Sequence, residues 1–346
     1  MLRDQGIWTL LEPAMASQAR AVAAVRADLQ EILSAQFLRK SAESPGISDP
    51  SDPGFLQEFF FLTLFRSLFE ALGVAPERLD RYAELNFCVQ GTITAADNLF
   101  DDQAKSLLPL QVGSGSRLLS ILQLMCFERL IRRSLDRSVA EGLYSEDERD
   151  GVLRGLLNLM AQIGLLEGSE EGGVSEVLLP EEMVERVHRV RGGFLFALAF
   201  VAPKILEQGE TRHRIERAEP AIARLGTAFQ IVDDLTDFEF DLTRRSHNLL
   251  VSQIYHRGGE EEKQRMQELL DGAEPLSGEV EGVFRNSARA VLELAHREAR
   301  AAFHDLAELG FWFPEPLADE VVHAIVGLEG VRRMEEVAAL DLPSSS

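Results

Sequence analysis

An all-α fold is predicted for this chain of 346 residues. Apolar residues recur every three or four positions through most of its length, the period of one helical face. No run alternates with period two between turn signals, as a half-buried strand would. The densest turn-forming stretches, 41–54 and 167–180, fall between the periodic segments rather than inside them.

The first helix is expected over 15–38, where Val22, Val25, Leu29, Ile32 and Leu33 share a face. Residues 41–54 read SAESPGISDPSDPG and form a loop. A very apolar run at 55–72 follows and stops at Gly73; its Phe59, Phe60, Phe61, Phe65 and Phe69 read as core, with a cation-stabilising aromatic cage as the alternative. Pro76 then opens a helix running to about residue 102, in a first-turn position where its missing N–H is harmless. Further helices are expected at 117–141, 146–166, 181–207, 215–241, 261–270, 283–309 and 316–339. Neither loop separates segments of different composition. About ten helices around one core, one domain over 1–346 with a flexible tail at 340–346, is therefore the expected organisation.

Composition excludes several functions. With 35 Lys+Arg against 57 Asp+Glu the net charge is −22, the wrong sign for binding nucleic acid or anionic lipid. Hydrophobic residues make up 45% of the chain, too many for a disordered protein. Cys88 and Cys126 alone cannot make a disulfide framework or a cysteine zinc site, which points to a reducing compartment. The start, MLRDQGIWTLLEP, is too acidic and too briefly apolar for a signal peptide, and the longest apolar stretch, 192–203, is too short to span a bilayer. A cytoplasmic protein without an integral membrane segment is expected.

Two acidic clusters carry the chemistry. The first is Asp97-Asn98-Leu99-Phe100-Asp101-Asp102, after the uncharged Gly91-Thr92-Ile93-Thr94-Ala95-Ala96. Asp97 and Asp101, four apart, share a helical face and repel unless a positive charge sits between them. An acidic helix end running into solvent is the plainer reading. The second is Gly226-Thr227-Ala228-Phe229-Gln230-Ile231-Val232-Asp233-Asp234-Leu235-Thr236-Asp237, with Asp241 four further on. Asp233, Asp237 and Asp241 form one stripe that begins in an apolar segment, with Asp234 beside it. A hard divalent cation is the natural neutraliser: Mg²⁺ takes oxygen ligands and binds one or two carboxylates together with substrate phosphates. Zinc is disfavoured, since no histidine pair at ligand spacing lies near a cysteine.

These residues resemble the trans-isoprenyl diphosphate synthases and the wider class I terpenoid synthase fold. Phe229-Gln230-Ile231-Val232-Asp233-Asp234-Leu235-Thr236-Asp237 matches that family's FQxxDDxxD motif in every defining position. Asp97-Asn98-Leu99-Phe100-Asp101 resembles its other motif, DDxxD, with asparagine in second place. Arg191-Gly192-Gly193-Phe194-Leu195-Phe196 resembles the KTGxLF-like stretch, with arginine for lysine. The resemblance spans about residues 55–257. It implies a single large helical bundle of the isoprenoid synthase type with a central active-site cavity. It implies an allylic isoprenoid diphosphate substrate held by three Mg²⁺ ions on Asp97, Asn98, Asp101, Asp233, Asp234, Asp237 and Asp241, and a homodimer. Asp97, Asp101, Asp233, Asp237 and Arg191 would then be catalytic. Gln230, Phe229, Arg244, Arg245, Lys105, Thr92 and Ile93 would contact substrate, Ile93 and Thr92 as the pocket-floor positions four and five before the first motif. Neither is aromatic, which allows a chain of fifteen or more carbons.

The departures narrow this. Members that use isopentenyl diphosphate carry a GGKRxRP motif some forty residues before DDxxD; here 52–59 reads DPGFLQEF, without a base. After the first motif they carry paired arginines; here Lys105 is the only cation in Gln103-Ala104-Lys105-Ser106-Leu107-Leu108-Pro109. A second diphosphate needs fixed cations, so its site reads as lost. Asn248 and Ser252 are spaced like the first two positions of the NSE metal triad of terpene cyclases, but the third position is His256. They would complete a metal shell, or form an ordinary polar helix face. Arg244 and Arg245 would sense diphosphate, or pair with surface acids. The expected function is Mg²⁺-dependent ionisation of an allylic diphosphate, ending in cyclisation, elimination or atypical prenyl transfer. An ordinary chain-elongating synthase and a catalytically weak regulatory subunit are the rivals.

Overall fold

The computed structural model describes residues 7–39, 53–100, 105–112, 116–276, 278–323 and 327–339. Fourteen α-helices lie among them: α1 (Ile7–Ile32), α2 (Pro53–Ala71), α3 (Pro76–Phe100), α4 (Ser116–Ala140), α5 (Glu146–Ser169), α6 (Pro180–Met183), α7 (Phe194–Leu206), α8 (Gly209–Thr236), α9 (Phe238–Arg244), α10 (Leu249–Arg257), α11 (Glu260–Leu270), α12 (Arg285–Glu308), α13 (Glu315–Val322) and α14 (Gly327–Ala338). A π-helical segment, Val184–Gly193, joins α6 to α7. The described residues contain no strand, only one isolated bridge between Leu38 and Leu110. The all-α expectation holds. No described helix is long and apolar enough to cross a membrane. The loop expected at 41–54 lies largely outside the described residues, and the tail at 340–346 entirely so.

Two compact units divide the chain: residues 1–157 with 198–216, and residues 158–197 with 217–346. Helices α5, α7 and α8 each contribute to both.

The first unit has an aromatic core. Phe59, Phe60, Phe69, Phe87, Phe127 and Phe200 are fully buried. Phe69 meets Phe200 edge-on at 5.0 Å, and Phe87 meets Phe127 at 6.0 Å. The phenylalanine run of α2 is thus mostly core, as expected, with Phe61 half-buried. Helix α2 kinks at Phe59 (φ −121°, ψ 28°), and Thr63 Oγ1 donates to the Phe59 carbonyl at 2.8 Å. A buried ion network joins α1, α3 and α4: Arg137 donates to Asp28 at 3.0 Å and to Glu84 at 2.6 Å.

In the second unit the π-helical segment runs against α8 with almost nothing between the backbones. A Cβ on Gly192 would lie 2.2 Å from the Gly226 carbonyl oxygen, and one on Gly226 would lie 2.2 Å from that of Gly192. Only paired glycines allow this approach, which explains why Arg191 is followed by glycine and why α8 has glycine seven residues before Asp233. One helix expected over 181–207 is therefore an α–π–α rod. The helix expected over 215–241 breaks after Thr236, because Arg333 takes the terminal carbonyls: its Nη1 donates to Leu235 O at 2.9 Å and Thr236 O at 3.2 Å. The helix expected over 316–339 is present as α13 and α14. Helix α10 has no counterpart among the expected helices.

Replacing Gly226 by Ala should lower stability by about 1–3 kcal/mol, since the displaced atoms are backbone. Gly164→Ala, on an open face of α5 with nothing within 4 Å of the added Cβ, should be neutral or stabilising by up to about 1 kcal/mol. Thermal denaturation of the two variants checks this; equal melting temperatures would contradict the packing.

Candidate functional site

The second acidic cluster sits where α8 leaves the core. Ile231, Val232 and Leu235 are fully buried, and Phe229 packs on Phe196 with ring centroids 5.3 Å apart. The helix ends at Thr236, yet the i→i−4 pattern continues through the bend: Asp237 N donates to Asp233 O at 2.9 Å and Asp241 N to Asp237 O at 2.8 Å. Asp233, Asp237 and Asp241 thus stay on successive turns. Asp233 and Asp241 are half-buried and Asp237 is exposed.

Asp234 faces the other way. It is 1% exposed, lies 2.7 Å from His188 Nε2, and accepts a bond from Leu249 N at 2.5 Å. Both contacts are to Oδ2, so this one oxygen ties the π-helical segment, α8 and α10 together. Asn248 is similarly engaged. Its Oδ1 caps α10 by accepting from Leu250 N at 2.9 Å and Val251 N at 3.2 Å. Its Nδ2 donates to Asp234 O at 2.7 Å and Asp241 Oδ2 at 2.9 Å. Ser252 Oγ, buried, donates to Leu178 O at 2.6 Å, and His256 Nε2 lies 2.9 Å from Val177 O. Asn248 thus caps α10 and Ser252 anchors the segment before α6.

Burial and neighbouring charge raise the carboxyls of Asp233 and Asp241. Burial, then the charges of Asp237 and Asp234, push the Asp233 carboxyl up to about 7, although Arg191 and a hydrogen bond from Gln230 Nε2 (3.3 Å) oppose the rise. Burial and the charge of Asp234 push Asp241 up to about 8 against the bond from Asn248. The donors of the row are all oxygen, which suits Mg²⁺ rather than a soft metal. No three His, Cys, Asp or Glu side chains among the described residues converge tightly enough to hold a metal on their own.

Arg191 is not presented to solvent as a bare cation. Its Nε donates to Glu167 Oε1 at 2.5 Å and its Nη2 to Glu170 Oε1 at 2.7 Å. Burial works to lower its proton affinity, but Glu167, Glu170 and Asp234 outweigh that and leave it above the ordinary value. Glu170 Oε2 also accepts from His247 N at 3.0 Å. Sequence reading placed Glu167 and Glu170 in a loop; their i,i+3 spacing at the end of α5, before the glycine turn, is the one signal that could have singled them out. Arg244 lies over the Phe240 ring, 5.0 Å from its centroid. Arg245 is exposed and takes a left-handed backbone (φ 56°) at the end of α9.

The first cluster lies on α3, in the other unit. Asp97 is exposed, and Asp101 lies outside the described residues. Asn98 is 3% exposed: its Nδ2 donates to Lys105 O at 2.7 Å and its Oδ1 accepts from Lys105 N at 3.2 Å. The asparagine in second place thus anchors the segment after α3 through both polar atoms of its amide. Lys105 is exposed. Thr92 and Ile93 are half-buried, and Thr92 Oγ1 donates to Cys88 O at 2.9 Å.

No family model matches the sequence, and no curated protein matches it either. Solved structures do. A decaprenyl diphosphate synthase from Rhodobacter capsulatus is 18% identical with a TM-score of 0.60, over 91% of this chain and 98% of that one. A polyprenyl synthetase from Streptomyces coelicolor A3(2) is also 18% identical, with a TM-score of 0.56 over 92% and 98%. A polyprenyl synthase from Caulobacter crescentus CB15, complexed with calcium and isoprenyl diphosphate, is 14% identical with a TM-score of 0.51 over 92% and 98%. At these identities the likeness speaks for the fold, and this chain has the fold of the trans-isoprenyl diphosphate synthases.

Proposed function

We propose that this protein is a Mg²⁺-dependent enzyme that ionises an allylic isoprenoid diphosphate. The observation that carries this reading is the row Asp233, Asp237 and Asp241 at the end of α8, two of whose carboxyls are pushed up to about 7 and 8. Bound Mg²⁺ supplies Lewis-acid stabilisation of the leaving diphosphate. Asp233 and Asp237 hold the cation, and Asp97 and Asp101 keep the metal-ligand role that the resemblance implies for the first motif. Gln230 orients Asp233 through its 3.3 Å bond. Asp234, Asn248 and Ser252 position these groups without touching the metal. Thr92 and Ile93 set the length of the chain, with fifteen carbons or more accommodated. The enzyme works as a cytoplasmic homodimer on one allylic diphosphate, and the cation formed is cyclised, loses a proton or is passed to an acceptor other than isopentenyl diphosphate.

Ordinary chain elongation is the second reading, favoured by the names of the solved structures of this fold. The absence of bases from 52–59 and the single Lys105 after the first motif argue against it. Three charge-assisted hydrogen bonds at about 1.5–3 kcal/mol each are missing, enough to weaken isopentenyl diphosphate roughly a thousandfold or more. A catalytically weak subunit is the third reading, supported by the commitment of Asn98 to Lys105.

Incubating the protein with C10, C15 and C20 allylic diphosphates and Mg²⁺, with and without isopentenyl diphosphate, separates the three by mass spectrometry. Diphosphate release should require Mg²⁺ and yield no product longer by five carbons. Asp233→Ala should cost on the order of 10²–10³ in kcat/KM while the melting temperature is retained. Efficient five-carbon extension would restore the ordinary synthase, and no turnover at all would favour the subunit.

The raised carboxyls also set a stability profile. Both hold protons more tightly folded than unfolded, so their contribution is full below the unfolded value near 3.8 and is lost as pH rises through about 7 to 8. The metal-free protein should therefore melt lower at pH 8.5 than at pH 6. Asp233→Asn and Asp241→Asn should flatten that slope, and Mg²⁺ with inorganic diphosphate should reverse it. An identical slope in both variants would contradict the crowding.

A further inference from the structure

Arg191, the cation of the KTGxLF-like stretch, is already paired twice. Glu167 and Glu170 receive its guanidinium at 2.5 and 2.7 Å, with the Arg191 side chain 16% exposed and that of Glu170 only 6%. The three groups together carry one negative charge. Asp233, Asp234 and Asp241 all interact electrostatically with Arg191 as well. A bare anion approaching Arg191 therefore meets a net negative field.

The two glutamates are held differently. Glu170 is anchored: its second oxygen accepts from His247 N at 3.0 Å. Beyond it the chain turns through Gly172 and Gly173, both with left-handed backbones (φ 88° and 90°), and is tied down by Val174 N donating to Arg245 O at 2.8 Å and by Ser252 Oγ donating to Leu178 O at 2.6 Å. Glu167, in the last turn of α5, has a side chain 28% exposed. Moving Glu167 into water breaks only its pair with Arg191, whereas moving Glu170 also means dismantling the turn.

We propose that Glu167 and Glu170 are specificity-determining residues of this site. They hold Arg191 as a shielded cation that a diphosphate reaches only by displacing Glu167, and they confine the site to anions that arrive with divalent cations. The exchange trades one charge-assisted pair for another, so Arg191 contributes only the difference to affinity. Glu170 remains in place and keeps the guanidinium oriented. This rests on the reading of the site as one that binds a diphosphate.

Titration calorimetry with inorganic diphosphate and Mg²⁺ tests it on the full chain. Glu167→Gln should bind about tenfold tighter than the unaltered protein, equivalent to about 1.4 kcal/mol. In an Arg191→Gln background the same change should alter affinity by less than about twofold, because the effect runs through the guanidinium. Glu170→Gln, which keeps an acceptor for His247 N, serves as the second variant and should tighten binding in the same direction. Equal tightening with and without Arg191 would reveal general relief of negative charge and overturn the proposal. So would unchanged affinity in both glutamine variants while the unaltered protein binds. Failure of the unaltered protein and every folded variant to bind Mg²⁺-diphosphate would overturn the diphosphate reading itself, and the proposal with it. Diphosphate binding just as tightly without Mg²⁺ would overturn the requirement for accompanying cations.

Discussion

Burying the Asp234 carboxylate is the constraint on which this end of the second unit depends. A carboxyl at 1% exposure is costly unless it is hydrogen-bonded, and here the His188 ring and the Leu249 amide both meet its Oδ2. Those partners belong to the π-helical segment and to α10, so holding Asp234 fixes both against α8. Asn248 extends the tie by donating to the Asp234 carbonyl and to Asp241 while capping α10. The same arrangement selects which acids remain for chemistry: Asp234 is turned inward, while Asp233, Asp237 and Asp241 are left on successive turns around a bend.

A second close contact sets how near the π-helical segment lies to α8. Gly192 and Gly226 let the π-helical segment approach α8 to backbone distance, which brings His188 within reach of Asp234 and puts Arg191 one residue before the contact. π-Helical turns often occur at functional sites. Here the extra residues in the turn let His188 face the core while Arg191 meets the two glutamates at the end of α5. Arg333 from α14 terminates α8 by taking its last carbonyls, and it pairs with Glu239 and Glu281 as well. The acidic row therefore begins at a helix end defined from outside the helix.

Much of this was legible in the sequence. Helical periodicity revealed the all-α class, and most helix ends fell within a few residues, because proline and glycine mark them chemically. The Phe-Gln-x-x-Asp-Asp-x-x-Asp run on α8 identified the acidic row. Pattern alone could not divide its labour, since Asp233 and Asp234 are identical in sequence terms and differ only in which face of α8 they occupy. Asn98, Asn248 and Ser252 looked like oxygen ligands for the same reason: an amide or hydroxyl that caps a helix is indistinguishable from one that binds a cation until its partner is seen. The α8 break was hidden because Arg333 is nearly a hundred residues away in sequence. Helix α10 was missed because its nine residues are too few to display a period.

The central proposal is that the row Asp233, Asp237 and Asp241, and not the fully buried Asp234, holds the metal of a diphosphate site. A crystal structure with Mg²⁺ and a non-ionisable thio analogue of a C15 allylic diphosphate addresses this most directly. The account predicts Mg²⁺ bonded at about 2.1 Å to Asp233 or Asp237 and to phosphate oxygens, with Asp234 still bound to His188 and Asn248 still capping α10. Metal on Asp234 or Asn248, or diphosphate bound elsewhere with the row at the end of α8 unoccupied, would contradict it.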